Sequence, residues 1–340
     1  MAYETEDHET QYCFPAINSS CIKTKRSTRE YNIMYVFFSL LSVWTVFLNL
    51  LVIISISHFK KLHTPTNMLI LSLAVSDMLV GLIVIPVEAI KLIETCWYFG
   101  EIFCGFFIIS LGLFLSISLS NLVLIALDRF IAVIHPLLYT QKITMTKSLV
   151  AIFLNWFCAS AYNTSLVVGN GYFVADVSHR FGLCYGECTF IISFGWRVTD
   201  LFVTFLFPGI TIITLYLRIF FVAQRQVKVI NSLVKRGKHL TEGSVRRKSE
   251  HKAAFTLGIV VGIHLLCYLP FFIFSLTGNT VIPLATASFL SWTMYVNSGV
   301  NPLIYAFFYP WFRKALKHIV TLKIFHQASN LVDIVTDHHS

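Results

Sequence analysis

The chain has 340 residues, of which 56% are hydrophobic and only 13% charged, with a formal net charge of +9. Soluble globular proteins usually carry about 25% charged residues. The shortage of charge excludes a disordered chain, a coiled coil, a disulfide-rich mini-protein and almost any soluble enzyme, and it requires a protein with several membrane spans.

The first residues are acidic (Glu4, Glu6, Asp7, Glu9) and lack the early apolar run of a signal peptide. The first span is therefore expected to act as the insertion signal. Asn18-Ser19-Ser20 is a glycosylation sequon in this tail. A bilayer core of about 30 Å needs about 20 apolar residues in a helix. Seven segments meet that need, at Tyr35–Ile56, Met68–Ile90, Cys104–Ile125, Leu149–Val168, Val198–Phe221, Phe255–Leu276 and Pro283–Phe307. The expected fold is an all-α seven-helix membrane bundle, because backbone polar groups in lipid must be satisfied internally. It divides into a tail at 1–34, the bundle at 35–309 and a cytoplasmic end at 310–340.

Lys and Arg in the connections set the orientation. One side holds Lys60, Lys61, Lys142, Lys147, the basic run from Arg225 to Lys252 and Arg313, Lys314, Lys317 and Lys323; the other holds fewer. The rich side faces the cytoplasm, so the N-terminus is expected outside. The positive charge is a topology and lipid-headgroup signal, and no nucleic-acid partner is expected. Pro310–Phe325 reads as a short amphipathic helix on the membrane, with Trp311, Phe312, Leu316 and Ile319 toward lipid.

Ionisable residues inside spans are functional candidates. The second span has Asp77 and Glu88, the third ends in Asp128-Arg129-Phe130, the fifth has Arg197 and Asp200, and the sixth has His264. Glu250, at the cytoplasmic start of the sixth span, is placed to pair with Arg129 and hold the inner face closed. Pro302 within the seventh span removes a backbone donor and kinks the helix, and Asn301 beside it offers a compensating amide. Six cysteines lie outside or at outer helix ends (Cys13, Cys21, Cys96, Cys104, Cys184, Cys188), which suits an oxidising compartment but leaves their pairing open.

These residues resemble, in order along about residues 30–320, the class A G protein-coupled receptors. Asp128-Arg129-Phe130 is similar to their DRY-type motif, Asn301-Pro302-Leu303-Ile304-Tyr305 to NPxxY, and Asn49, Asp77, Trp156, Pro208 and Pro270 to their reference positions. Asn297 to Phe312 resembles the narrower fingerprint NSxxNPxxYxxxYxWF of trace amine-associated receptors, as do Cys96-Trp97-Tyr98-Phe99-Gly100 and the close pair Cys184 and Cys188. The resemblance implies a receptor for small amines, mostly olfactory, that acts through stimulatory G proteins and raises cAMP, with arrestin and receptor kinases as further partners. It implies a Cys104–Cys188 disulfide, and a second from Cys184 to Cys13 or Cys21. It also implies a switch of Asp128, Arg129, Glu250, Tyr216, Asn301, Pro302 and Tyr305. No catalytic cofactor is expected; an allosteric sodium ion on Asp77, Ser118, Asn297, Ser298 and Asn301 is implied, with an ion-free polar network as the alternative.

Receptors for amines usually hold the ligand ammonium with an Asp on the third span, seven residues after the disulfide cysteine. Here that position is Leu111. Asp200 offers the alternative acid, about 12 Å outward of Pro208 at 1.5 Å per residue. A subset of fish trace amine receptors resembles this arrangement. Against it stands Arg197, three residues earlier on the same helical face, as an internal counter-ion. The expected ligand site comprises Asp200 with Leu111, Leu115, Thr204, Tyr268, Phe271, Phe272, Trp292 and Tyr295; Glu88 and Glu187 are candidates for a second amine. Tyr268 and His264 replace the Trp and Phe usual in the relay below the pocket. The rival readings are a peptide receptor, since Leu111 removes the amine hallmark, and more remotely a transporter, for which the sequence lacks repeated halves.

Overall fold

The computed structural model describes residues 11–173, 184–190, 192–235, 242–276, 284–326 and 329–331, with the side chains at 140, 226–254, 257, 274–288 and 291 left aside. Among the described residues seven long helices form the bundle. They are Thr28–His58, Pro65–Glu94, Gly100–Ile134, Met145–Gly169, a fifth in three segments (Phe194–Asp200, Leu201–Leu206 and Phe207–Lys235), Glu242–Leu276 and Leu284–Phe308. We refer to them as the first to seventh spans. Each contains its expected apolar segment, except that Pro283, before the seventh, lies outside the described residues. The first helix starts at Thr28, before the expected tail boundary.

Local chemistry explains the ends. Ser27 caps the first span: its hydroxyl accepts from the Glu30 N–H, and the Glu30 carboxylate accepts from the Ser27 N–H (3.2 and 3.1 Å). Thr64 caps the second, followed by Pro65, whose missing N–H costs nothing in the first turn. Thr144 caps the fourth.

Two spans are interrupted by a π turn, at Val80–Val84 in the second and Leu201–Leu206 in the fifth. Each ends two residues before a proline, Pro86 and Pro208. A proline cannot donate to the carbonyl four residues back and its ring clashes with it; the wider π turn moves that carbonyl aside. The extra residue rotates everything outward of the turn by about 100°, one residue's share of a helical turn. The roughly 12 Å expected between Asp200 and Pro208 counted an unbroken α-helix, and this turn lies between the two residues.

The core runs along the bundle axis, with Val52, Ile70, Leu73, Ile85, Leu122, Ile125, Tyr268 and Tyr305 among its buried members. Apolar residues such as Val43, Phe153, Phe157 and Phe207 are exposed on the outside, 62–68% for Phe157 and Phe153, as lipid-facing positions should be. Polar ties set the helix register. Asn49 donates to the carbonyls of Thr45 and Ser298 (both 2.9 Å), joining the first and seventh spans. Trp156 Nε1 donates to Ser72, and Ser72 to Asn121, joining the second, third and fourth (3.0 and 3.1 Å).

After the seventh span, Pro310–Val320 forms a helix with Phe312 and Ala315 buried. It is shorter than the expected Pro310–Phe325; the chain turns at Leu322, in the left-handed region, into a separate short turn at Lys323–Phe325. Outside, three disulfides tie the tail and loops: Cys104–Cys188, Cys21–Cys184 and Cys13–Cys96. The tail partner of Cys184 is Cys21, and Cys13 bridges to Cys96 at the outer end of the second span. Lys23 reinforces this clamp by donating to Glu94 (2.8 Å), and that hydrogen bond holds its ammonium pKa above the ordinary value. Asn18 is exposed on the clamped tail.

Candidate functional site

Asp200 is the last residue before the π turn of the fifth span. It is partly buried, and its Oδ1 accepts a hydrogen bond from the hydroxyl of Tyr162 on the fourth span (3.0 Å). Thr204 turns its hydroxyl to the main-chain carbonyl of Asp200 (2.6 Å). The Arg197 Nη2 reaches back to the Ile192 carbonyl (3.2 Å). Tyr162 was not among the expected site residues. An aromatic in an apolar span carries no signal of its own, and its partner lies in another span.

The fourth span is held against the third just beside Leu111. Asn163 donates to Ser116 (3.2 Å) and to the Ala159 carbonyl (2.8 Å). Gly112 is required there, since a Cβ would stand 2.2 Å from Asn163 Oδ1. Leu111 and Leu115 pack against the core. From the other side, Phe272 stacks on Phe205 (ring centroids 4.5 Å apart), Phe271 meets Phe272 edge-on, and Tyr268 is buried. Trp292 stacks on Phe38 of the first span (4.0 Å) and meets Tyr295 edge-on, which places it toward the outer cavity. That cavity, about 440 Å³, is lined by Glu88, Lys91, Trp97, Glu187, Thr189 and Trp292. Both of its acids have partners: Glu88 pairs with Lys91 (3.5 Å) and Glu187 accepts from Thr189 (2.7 Å).

Below lies a buried polar cluster. Asp77 accepts from Ser118 (3.0 Å) and from the Asn301 amide (2.7 Å). The Asn297 amide meets Nδ1 of His264 (3.0 Å). Three further oxygens, Asn297 Oδ1, Ser298 Oγ and Asn301 Oδ1, are buried with no hydrogen-bond partner within bonding geometry among the described residues. A carboxylate surrounded by neutral oxygens is a donor set that suits a hard cation.

At the cytoplasmic end, Arg129 Nη2 and Nε both donate to Asp128 Oδ2 (2.6 and 3.0 Å). Thr66 of the second span donates to the same oxygen (2.7 Å), Arg129 donates to Thr66, and Tyr139 of the short helix Pro136–Lys142 donates to Asp128 Oδ1 (3.0 Å). The expected Arg129–Glu250 pair lies outside the described residues, as the Glu250 side chain is not among them. The hydroxyls of Tyr216 and Tyr305 are buried near this end, with no hydrogen-bond partner among the described residues.

An Asp-Arg pair at the inner end of the third span, a proline inside the seventh and a disulfide from the third span to the outer loop thus stand together in one seven-helix bundle. The model for the 7 transmembrane receptor (rhodopsin family) matches residues 48–305. Trace amine-associated receptor 13c of Danio rerio is 41% identical, covering 96% of this chain and 97% of that receptor. The chain belongs to the trace amine-associated receptor family. Trace amine-associated receptor 6 of Homo sapiens is 38% identical over 96% of both chains, and trace amine-associated receptor 9 of Mus musculus 39% identical over 96% and 95%. As a rhodopsin-family receptor the chain is a multi-pass plasma-membrane signalling protein and not an enzyme, with a heterotrimeric G protein as its partner.

Proposed function

We propose that this receptor binds small amines as ammonium ions at Asp200 and couples to the stimulatory class of G protein, raising cAMP, with arrestin and receptor kinases acting on the active state. The observation that carries the reading is an acid at Asp200 in the outer part of the fifth span, bonded to the fourth span, while Leu111 occupies the usual acid's place. A carboxylate in a partly buried site gives an ammonium a charge-assisted hydrogen bond, and nearby aromatic faces add about 0.5–2 kcal/mol each. In this reading Leu111, Leu115, Thr204, Tyr268, Phe271, Phe272, Trp292 and Tyr295 would form the remaining wall.

Ligand contacts on the fifth and sixth spans bias a pre-existing equilibrium between inactive and active forms. In the inactive form Arg129 is held by Asp128, Thr66 and, in this reading, Glu250. Activation releases Arg129, moves the sixth span outward and frees Tyr216 and Tyr305 to line the inner cavity. Asp77, Ser118, Asn297, Ser298 and Asn301 would hold a sodium ion. Such an ion would supply a positive charge beside Asp77, with Ser118 of the third span and Asn297, Ser298 and Asn301 of the seventh as the residues that would hold it.

A concentration–response screen of small amines against small peptides in cells expressing the receptor tests this, with cAMP as the readout. Amines acting as agonists while peptides stay silent is the expected result. Peptide agonism with no amine response would overturn it.

A further inference from the structure

The outer end of the protein gathers aromatic rings around a second, smaller chamber. It holds about 120 Å³ and is lined by Phe14, Trp97, Tyr98, Tyr172 and Tyr185, together with Glu101 and Glu187. Phe14 meets Tyr185 and Tyr98 edge-on, with ring centroids 4.9 and 5.7 Å apart. Pockets for drug-sized ligands usually run to about 300–1,000 Å³, so this one admits a head group rather than a whole molecule of that size.

The chamber is built by the outer clamp. Four of its lining residues stand next in sequence to a disulfide cysteine: Phe14 to Cys13, Trp97 to Cys96, Tyr185 to Cys184 and Glu187 to Cys188. Main-chain bonds add to the bridges. The Tyr185 N–H donates to the Ser19 carbonyl (2.8 Å), the Cys21 N–H to the Tyr185 carbonyl (2.9 Å) and the Trp97 N–H to the Gly186 carbonyl (2.7 Å). The Phe14 N–H donates to Ser20 Oγ (2.8 Å). Walls fixed in this way spare a ligand much of the ordering cost of binding. Among the described residues no cation lies within ion-pair distance of Glu187; Lys91 and Lys23 pair instead with Glu88 and Glu94. Glu187 and Trp97 also line the outer cavity, so the chamber adjoins it.

We infer that this chamber is a second cation site, which takes a methylated, quaternary ammonium group and is separate from Asp200. The charge of such a group is spread over its methyls, and aromatic faces attract it. It has no N–H to leave without an acceptor, so it gives up little on leaving water. Glu187 supplies negative charge at the rim. The inference does not use the reading of Asp200 as the amine anchor.

The test uses purified full-length receptor and saturation-transfer NMR. Choline is the probe, and its uncharged isostere 3,3-dimethyl-1-butanol is the control. Choline should bind the wild type more tightly than the isostere by about tenfold or more. Phe14→Leu, Tyr185→Leu and Glu187→Gln should each weaken choline binding by about threefold or more, while Tyr185→Phe, which keeps the ring, stays near the wild type. Asp200→Asn should bind choline as the wild type does, and thermal melting checks that each variant is folded. Equal binding of the two probes, no choline binding by the wild type, or a loss in Tyr185→Phe as large as that in Tyr185→Leu overturns the inference. Choline binding that is lost in Asp200→Asn but kept in Tyr185→Leu and Glu187→Gln also overturns it, and leaves the reading of Asp200 standing.

Discussion

His264 and Asn297 meet across the sixth and seventh spans at 3.0 Å, and both side chains are fully buried. The Asn297 amide and the imidazole Nδ1 share this hydrogen bond, and the ring's Nε2 is buried with no hydrogen-bond partner among the described residues. The ring also stacks on Tyr268 one turn outward, with centroids 4.0 Å apart. The sixth span is thus tied to the seventh at this level.

His264→Phe should therefore raise basal signalling. It removes a bond worth about 0.5–1.5 kcal/mol and orphans the Asn297 amide. If the bond acts only in the inactive form, basal cAMP at matched surface expression rises about two- to tenfold. Unchanged basal cAMP would show that the bond survives activation.

The cluster around Asp77 predicts a sodium effect. Replacing NaCl by N-methyl-D-glucamine chloride at constant ionic strength should increase agonist potency in membranes, measured by G protein nucleotide exchange. Asp77→Asn removes the charge while keeping the shape, and should abolish the difference. A sodium effect that persists in Asp77→Asn would place the ion elsewhere.

The clamp on the outer face makes a pairwise prediction. Cys13→Ser, Cys96→Ser and the double variant should lower surface display and thermal stability equally, because either single change already opens the bridge. Cys21 and Cys184 should behave as a second pair, with losses of roughly 2–4 kcal/mol where unfolding is reversible. Additive losses within a pair would contradict the connectivity, and thermal melting of purified receptor by tryptophan fluorescence reads them.

Much of this architecture was legible in the residues because hydropathy reports on lipid directly. The spans, their orientation and the exposed faces at Phe153 or Phe207 follow from the cost of placing polar groups in hydrocarbon. Pairing was less legible. Six outer cysteines carry no mark of their partner, and Cys13–Cys96 follows only once the tail is folded over the second span. Pro86 and Pro208 are visible as letters, yet the π turns before them change the phase of everything outward. The site suffered most from that. Asp200 stood out as an acid in a span, whereas Tyr162 is one aromatic in a chain of 31 Phe and 14 Tyr, and only the three-dimensional approach of two spans reveals it.

Tyr139 offers a test at the inner face. Its hydroxyl donates to Asp128 Oδ1 and lies 3.3 Å from Arg129 Nη2, so it helps to hold the Asp-Arg pair. Tyr139→Phe should loosen the pair and raise basal cAMP about twofold to fivefold, consistent with about 0.5–1 kcal/mol for one hydrogen bond. Thr66→Ala should act in the same direction. A fall in basal activity at equal expression would mean that Tyr139 supports the active form instead.

The most direct test of the account is the charge at position 200. Amine-evoked cAMP should be lost, or shifted at least a hundredfold in potency, by both Asp200→Ala and Asp200→Asn, while Asp200→Glu keeps a weakened response and all three reach the surface. Amine potency unchanged in Asp200→Ala would contradict the account at its centre.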